Sequence, residues 1–230
     1  MCLSGAGVSK LAVHTVETSG GPALVHLSAP CSPHGLVLLG HSAGGGAAAP
    51  VLVAGRDRLV ESDVAVGLVE QPYRVAGRRM PDPAPVLDRV MTEVARWARG
   101  AVPGVALVLG GKSSGARVGC RVAEPLGAVG VVALGFPLVP PRRPGRSRAG
   151  ELDAGCPVLV VQGTRDAFGT PDEVRSAAGD LPVTVHEVAG ADHSFTARRA
   201  DGRSSSECAA EAADVVADWV LARVRSAGPA

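Results

Sequence analysis

Short runs of apolar, largely β-branched residues recur along this chain, and between several of them the apolar positions return at helical spacing. The runs are LAVHTVE (11–17), ALVHLSA (23–29), GLVLLG (35–40), DVAVGLVE (63–70), VALVLG (105–110), GVVALGF (130–136), PVLVVQG (157–163) and PVTVHEV (182–188). The first two flank TSGGP, a turn signal that predicts a hairpin. From the third onward most runs are apolar throughout, as strands covered on both faces require. Strands alternating with helical segments predict a mostly parallel sheet of about eight strands with crossover helices on both faces.

The helical stretches have their own signals. Leu87, Val90, Met91, Val94 and Trp97 repeat at helical spacing within 84–98, with Asp82-Pro83 as expected N-cap and proline start. A last helix carries Val215, Val216, Trp219 and Val220 on one side, after a capping-box pair Ser204 and Glu207. PLVPPRRPGRSRAG (137–150) predicts a surface loop. With no internal repeat and no dividing linker, residues 1–230 are expected to form a single domain without a large inserted lid.

Composition narrows the function classes. Hydrophobic residues at 46% and charged residues at 20% indicate a soluble globular chain. A formal net charge of +1 removes any bulk electrostatic reason to expect nucleic acid or an anionic membrane as partner. The longest apolar window, around 125–141, is broken by Pro and Gly and is too short to span a bilayer. The start MCLSGAGVSK lacks a secretory signal pattern, so the cytoplasm is the expected location. Cys2, Cys31, Cys120, Cys156 and Cys208 include no C-x-x-C pair and are expected as free thiols. No metal or other cofactor is expected. The anticipated partner is a small-molecule substrate, and the sequence leaves the oligomeric state open.

The chemistry lies in two look-alike stretches. LLGHSAGGG (38–46) and VLGGKSSGA (108–116) both contain Gly-x-Ser-x-Gly, which can place a nucleophilic serine on a sharp strand-to-helix turn. Ser113 has an entering strand, flanking Gly111 and Gly115, and a following helical stretch with Val118 and Val122. Ser42 precedes AGGG, a poor helix start, and its segment suits a loop whose backbone N–H groups approach the substrate. Ser113 is therefore the expected nucleophile, with the N–H groups of Ser114 and Ala43 as an oxyanion hole. A phosphate-binding loop is excluded, because that pattern needs glycine where Ala106 stands and 105–110 reads as a strand.

A serine nucleophile needs a base and an orienting carboxylate. Downstream, only His186 and His193 are available. His186 lies inside a strand, whereas His193 lies just beyond its end and is the expected base. Asp166 follows the preceding strand and is the expected acid. Asp172 is read as a helix cap, and Asp192 as too close in sequence to reach the imidazole. His41, Ser42, Tyr73 and Arg74 are the positions expected around the substrate, His41 as a loop-shaping residue rather than a base. Arg78 and Arg79 follow the strand 63–70, and Arg142, Arg143, Arg146 and Arg148 crowd the later loop. These arginines favour an acidic substrate if they line the site, and are otherwise solvated loop residues.

Together GHSAGGG, VEQPYRVAGRRMPDP, LGGKSSGARV, GFPLVPP, VLVVQGTRDAFGTPDEV and GADHSF, within about 36–196, resemble the α/β-hydrolase superfamily. The form resembled is lidless and dienelactone-hydrolase-like. More narrowly, the chain is similar to bacterial relatives of animal testis-expressed protein 30 and the KAT8 regulatory complex subunit 3. The resemblance implies an α/β-hydrolase fold, Ser113, Asp166 and His193 as a triad, and 41–45 as the oxyanion-side loop. Two departures stand out. Ser113-Ser114-Gly115-Ala116 replaces the usual Ser-Met-Gly-Gly, and Ser42 replaces a glycine in the early loop. The expected function is a serine esterase cleaving a small ester, thioester or lactone through an acyl-enzyme. The alternative is a non-catalytic binding or scaffold protein on the same fold.

Overall fold

A computed structural model describes residues 10–140 and 145–228. Cys2, Arg142, Arg143 and the N-terminal segment lie outside them. Among the described residues, β1 (Lys10–Thr18) and β2 (Gly21–Ala29) form the expected hairpin. β3 (Gly35–Gly40), β4 (Ala65–Glu70), β5 (Ala106–Lys112), β6 (Gly130–Leu134), β7 (Val158–Gly163) and β8 (Val183–Val188) complete one sheet. Its order is β1-β2-β4-β3-β5-β6-β7-β8. β2 pairs antiparallel with β4, and every pairing from β4 through β8 is parallel.

Two strands end or begin differently from their apolar runs. Residues 63 and 64 belong to the turn that closes α1 (Pro50–Val60), where Val64 N–H donates to the Leu59 carbonyl, so β4 starts at Ala65. β6 stops at Leu134 because Gly135 turns the chain at φ +61°. α1 itself has no clear apolar stripe and was not foreshadowed by periodicity, and the one-turn α2 (Pro72–Val75) follows β4.

The period-two geometry of strands explains the continuous apolar runs. In β3, Leu36 and Leu38 face one core while Val37 and Leu39 face the other. β7 divides Val158 and Val160 from Leu159 and Val161 in the same way. The first core is covered by α3 (Ala84–Ala101), α4 (Ser114–Ala123) and α5 (Pro171–Ala178). The second is covered by α1 and α6 (Ser205–Ala227). Leu87, Val90, Met91 and Val94 of α3 are buried as the spacing predicts, and Trp97 is partly buried against them.

Two caps differ in detail. Asp82 does not cap α3; its carboxylate takes a two-pronged bond from Arg78 at 2.7 and 2.8 Å. Asp172 does not cap α5 either. Thr170 does, in a reciprocal box with Glu173, while Asp172 lies in the first turn and pairs with Arg175. Thr170 wins because its hydroxyl, one residue before the helical proline, reaches the backbone N–H of Glu173. The Ser204–Glu207 box of α6 forms as expected. Pro137 and Leu138 of the predicted surface loop are buried, and Arg148 N–H returns to the Leu138 carbonyl, so this loop is tied back onto the domain.

Backbone packs closely where α4 crosses β3 and β5. A Cβ at Gly115 would stand 2.2 Å from the Gly40 carbonyl oxygen, and one at Gly111 2.1 Å from the same atom. One at Gly119 would meet Gly110 Cα at 2.8 Å. At Gly55, inside α1, an added Cβ meets nothing within 4 Å. Gly115→Ala is therefore expected to destabilise the fold by roughly 1–3 kcal/mol through overpacking. Gly55→Ala should stabilise it by roughly 0.5–1 kcal/mol through helix propensity. Urea unfolding midpoints of the two variants read these opposite signs.

Candidate active site

Ser113 sits at the junction of β5 and α4 with φ 52° and ψ −103°. That backbone geometry is costly for any residue with a side chain, and it turns the hydroxyl out at the sheet's edge. Ser113 N–H donates to the Leu134 carbonyl at 3.0 Å, pinning the turn to β6. The hydroxyl donates to His193 Nε2 at 3.0 Å. His193 Nδ1–H in turn donates to Asp166 Oδ2 at 2.8 Å. The structure thus brings Ser113, His193 and Asp166 into one hydrogen-bonded chain.

The Asp166 carboxylate is fully buried, so each oxygen requires partners. Oδ1 accepts from Phe168 N–H at 2.8 Å. Oδ2 also accepts from Gln162 Nε2 at 2.9 Å. Gln162 was not singled out from sequence; it is the last polar residue of an otherwise apolar strand, the one signal that marked it. Its amide also bonds Phe136 N–H at 2.8 Å, the Phe136 carbonyl at 3.2 Å and the Gly169 carbonyl at 2.7 Å. It clamps β6, β7 and the Asp166 turn together.

His193 stands on a loop shaped by its neighbour. Asp192 Oδ1 accepts from Ser194 N–H at 2.8 Å and Thr196 N–H at 3.0 Å, so this carboxylate builds the turn and not the triad. Gly163 lets the loop approach: a Cβ there would lie 2.3 Å from the Ala191 carbonyl oxygen. Phe168 packs its ring on the imidazole, 4.2 Å between centroids. His186 lies away from this site, with Nε2–H on Glu211 at 2.9 Å. Lys112, directly before Ser113, is buried. Burial pushes its ammonium below the ordinary lysine value, and Asp166 and Asp192 oppose that shift.

The other Gly-x-Ser-x-Gly segment forms the facing loop. Its Ser42 hydroxyl lies beside Gly45, and the His193–Asp166 pair bonds Ser113 instead. Ser42 does not take positive φ, so its replacement of glycine adds no strain. His41 shapes this loop as expected, and Tyr73, expected around the substrate, is instead a second buried support for it. His41 Nδ1–H donates to the Ser42 carbonyl at 2.8 Å, and Nε2 accepts Gln71 N–H at 3.1 Å. Tyr73 donates its hydroxyl to the Ala43 carbonyl at 2.9 Å. Glu70 Oε1 accepts Ala47 N–H at 3.1 Å. Among the described residues, the N–H groups of Ala43 and Ser114 have no protein acceptor. Ser114 opens α4, where such groups carry the positive end of the helix dipole.

A cleft of about 330 Å³ opens beside Ser113, lined by Ala43, Ser114, Leu87, Pro137 and Phe168, with Arg117, Arg121 and Arg148 among its charged walls. His41, Ser42, Tyr73 and Arg74 do not line it. Arg78 is engaged by Asp82, and Arg79 is exposed. Of the arginines considered from sequence and described here, only Arg148 lines this cleft. No group of His, Cys, Asp or Glu among the described residues could hold a metal. No helix among them is long and apolar enough to cross a membrane. Cys31, Cys120, Cys156 and Cys208 are free thiols, with Cys120 pushed up to about 12 by burial.

A mostly parallel eight-stranded sheet in this order, with helices on both faces and no large lid domain, is an α/β-hydrolase fold. The chain matches the family described as alpha/beta hydrolase domain over residues 33–221 and belongs to it. It is similar in structure to a lidless α/β serine hydrolase from Xanthomonas campestris, with 21% identity, 91% and 95% of the two chains covered and TM-score 0.74. An α/β serine hydrolase homologue from Coxiella burnetii shares 17% identity over 90% and 96% of the chains, TM-score 0.74. A dienelactone hydrolase from Anabaena variabilis shares 15% over 94% and 99%, TM-score 0.74. No curated protein matches the sequence.

Gln162→Leu removes the partners of a buried carboxylate and a buried N–H, and is expected to cost roughly 1–3 kcal/mol of stability, read by urea unfolding at neutral pH. His41 gives a pH signature. Burial holds its imidazole below the ordinary value, against the opposing pull of the Ser42 carbonyl. The unfolded state therefore takes up a proton below about pH 6.5 before the folded state does. The His41 contribution is complete above that pH and is lost as pH falls toward the lower, folded value. His41→Gln should make the stability–pH slope shallower across this window.

Proposed function

We propose that the protein is a serine hydrolase of small esters, thioesters or lactones, working through an acyl-enzyme. The hydrogen-bonded chain from Ser113 through His193 to buried Asp166, at a strained strand-to-helix turn, carries this reading. Ser113 Oγ attacks the substrate carbonyl carbon as its proton passes to His193 Nε2. Asp166 fixes the imidazole tautomer and stabilises the imidazolium. The developing oxyanion accepts hydrogen bonds from the N–H groups of Ser114 and Ala43. His193 then hands its proton to the leaving alkoxide or thiolate as the C–O or C–S bond breaks; in a lactone the leaving oxygen stays tethered. Water attacks the acyl-enzyme with His193 as base, releasing the acid and restoring Ser113.

The narrower resemblance to the bacterial relatives of testis-expressed protein 30 rests on QGTRDAFGTPDEV and GFPLVPP, and favours the same chemistry in a lidless site. A fluorophosphonate probe followed by peptide mapping should give a single adduct, on Ser113. Ser113→Ala should abolish that adduct and lower turnover of a short-chain chromogenic ester by about 10³-fold or more, with an unchanged far-UV spectrum. An adduct on Ser42, or turnover that survives Ser113→Ala, overturns the assignment. A folded protein with neither adduct nor turnover supports a non-catalytic binding role.

A further inference from the structure

The cleft beside Ser113 is charged along one wall, and most of that charge is already compensated. Ser113 directly precedes α4, Arg117 and Arg121 follow along that helix, and all three line the cleft. Arg117 Nε and Nη2 donate to Glu151 at 2.7 and 2.6 Å. Arg121 donates to both oxygens of Asp88, at 2.9 and 2.7 Å, and to Glu151 at 3.0 Å. These two arginines and two carboxylates form a neutral network. Asp82, also on the cleft wall, is neutralised by Arg78.

Arg148 is different. It reaches the same cleft from the loop that precedes the 3₁₀ turn Ala149–Leu152. Its Nη1 donates to the Pro137 carbonyl at 2.8 Å, which fixes the guanidinium. Among the described residues, its Nε and Nη2 donate to no protein acceptor. The group is half-buried. Burial lowers its proton affinity first, and the neighbouring cations Arg117, Arg146 and Arg121 lower it further, with Glu151 opposing. A held, partly desolvated cation with a free pair of donors is an anion receptor, because a carboxylate supplies both the charge and the two acceptors.

We propose that Arg148 is the specificity residue of this cleft, and that it receives a carboxylate carried on the acyl group of the substrate. The preferred substrates are then monoesters or monothioesters of short dicarboxylic acids, which rests on the hydrolase reading above. Adipate represents this class of acyl group.

Two readouts separate the subsite from the chemistry. In calorimetry, folded Ser113→Ala protein should bind sodium adipate saturably, more weakly at high salt. Adding Arg148→Gln should weaken that binding about tenfold or more, the size of a charge-assisted hydrogen bond. Arg148→Lys, which keeps the charge without the fork, should recover only part, and serves if the glutamine variant does not fold. In turnover, kcat/KM for mono-4-nitrophenyl adipate should exceed that of its methyl-capped ester by about tenfold, mainly through KM. That preference should collapse in Arg148→Gln. No saturable adipate binding by the folded Ser113→Ala protein, or an unchanged preference in Arg148→Gln, overturns the subsite. Adipate binding without turnover of either ester overturns the hydrolase reading and leaves the subsite standing.

Discussion

Backbone meets backbone where α4 crosses the centre of the sheet, and the site is built on that contact. The Gly40 carbonyl is approached from two sides, by Gly111 at the end of β5 and by Gly115 in the first turn of α4. Three glycines are needed because any Cβ would fall well inside van der Waals distance. With the helix seated this low, Ser113 is forced into its left-handed turn and the first N–H groups of α4 point over the strand ends. The two Gly-x-Ser-x-Gly stretches are thus complementary. The first supplies, through Gly40, the floor on which the second stands, and through Ala43 the facing N–H.

The second requirement is a carboxylate held at the base of the imidazole inside the protein. A buried acid is tolerated only when its oxygens are satisfied. Here Gln162, Phe168 N–H and His193 Nδ1–H occupy Asp166. Gln162 also spans β6 and the Gly169 turn, so the acid is set by the sheet rather than by a free loop. The histidine loop is similarly fixed, by Asp192 within it and by the close approach over Gly163. Even the facing loop is braced from below by His41, Glu70 and Tyr73. Gln162, Asp192, His41, Glu70 and Tyr73 thus hold backbone in place, and none of them lines the cleft.

Charge in the cleft follows from the same helix. Because α4 starts directly after Ser113, its first two turns carry Arg117 and Arg121 away from that serine along the cleft. Asp88 of α3 and Glu151 of the 3₁₀ turn answer them. Compensation of these two leaves Arg148 as the cleft arginine without a carboxylate partner among the described residues.

Periodicity made the sheet, α3 and α6 legible, because a strand or helix repeats its facing every two or 3.6 residues whatever its neighbours. Chain order and strand ends likewise pointed to Ser113, Asp166 and His193. α1 was hidden because its apolar residues form no stripe; Asp82 is taken by Arg78 instead of capping α3, and Thr170 takes the cap expected of Asp172. The support from Tyr73, the bonds made by His41 and the clamp at Gln162 were not readable, although His41 was expected to shape its loop. Each depends on which residue, tens of positions away, supplies the partner atom within about 3 Å. The sequence by itself determined the elements and pointed to the trio of Ser113, His193 and Asp166, which are local in pattern or order. Only the tertiary structure decided which polar groups are consumed in holding that trio and which remain free to meet a substrate.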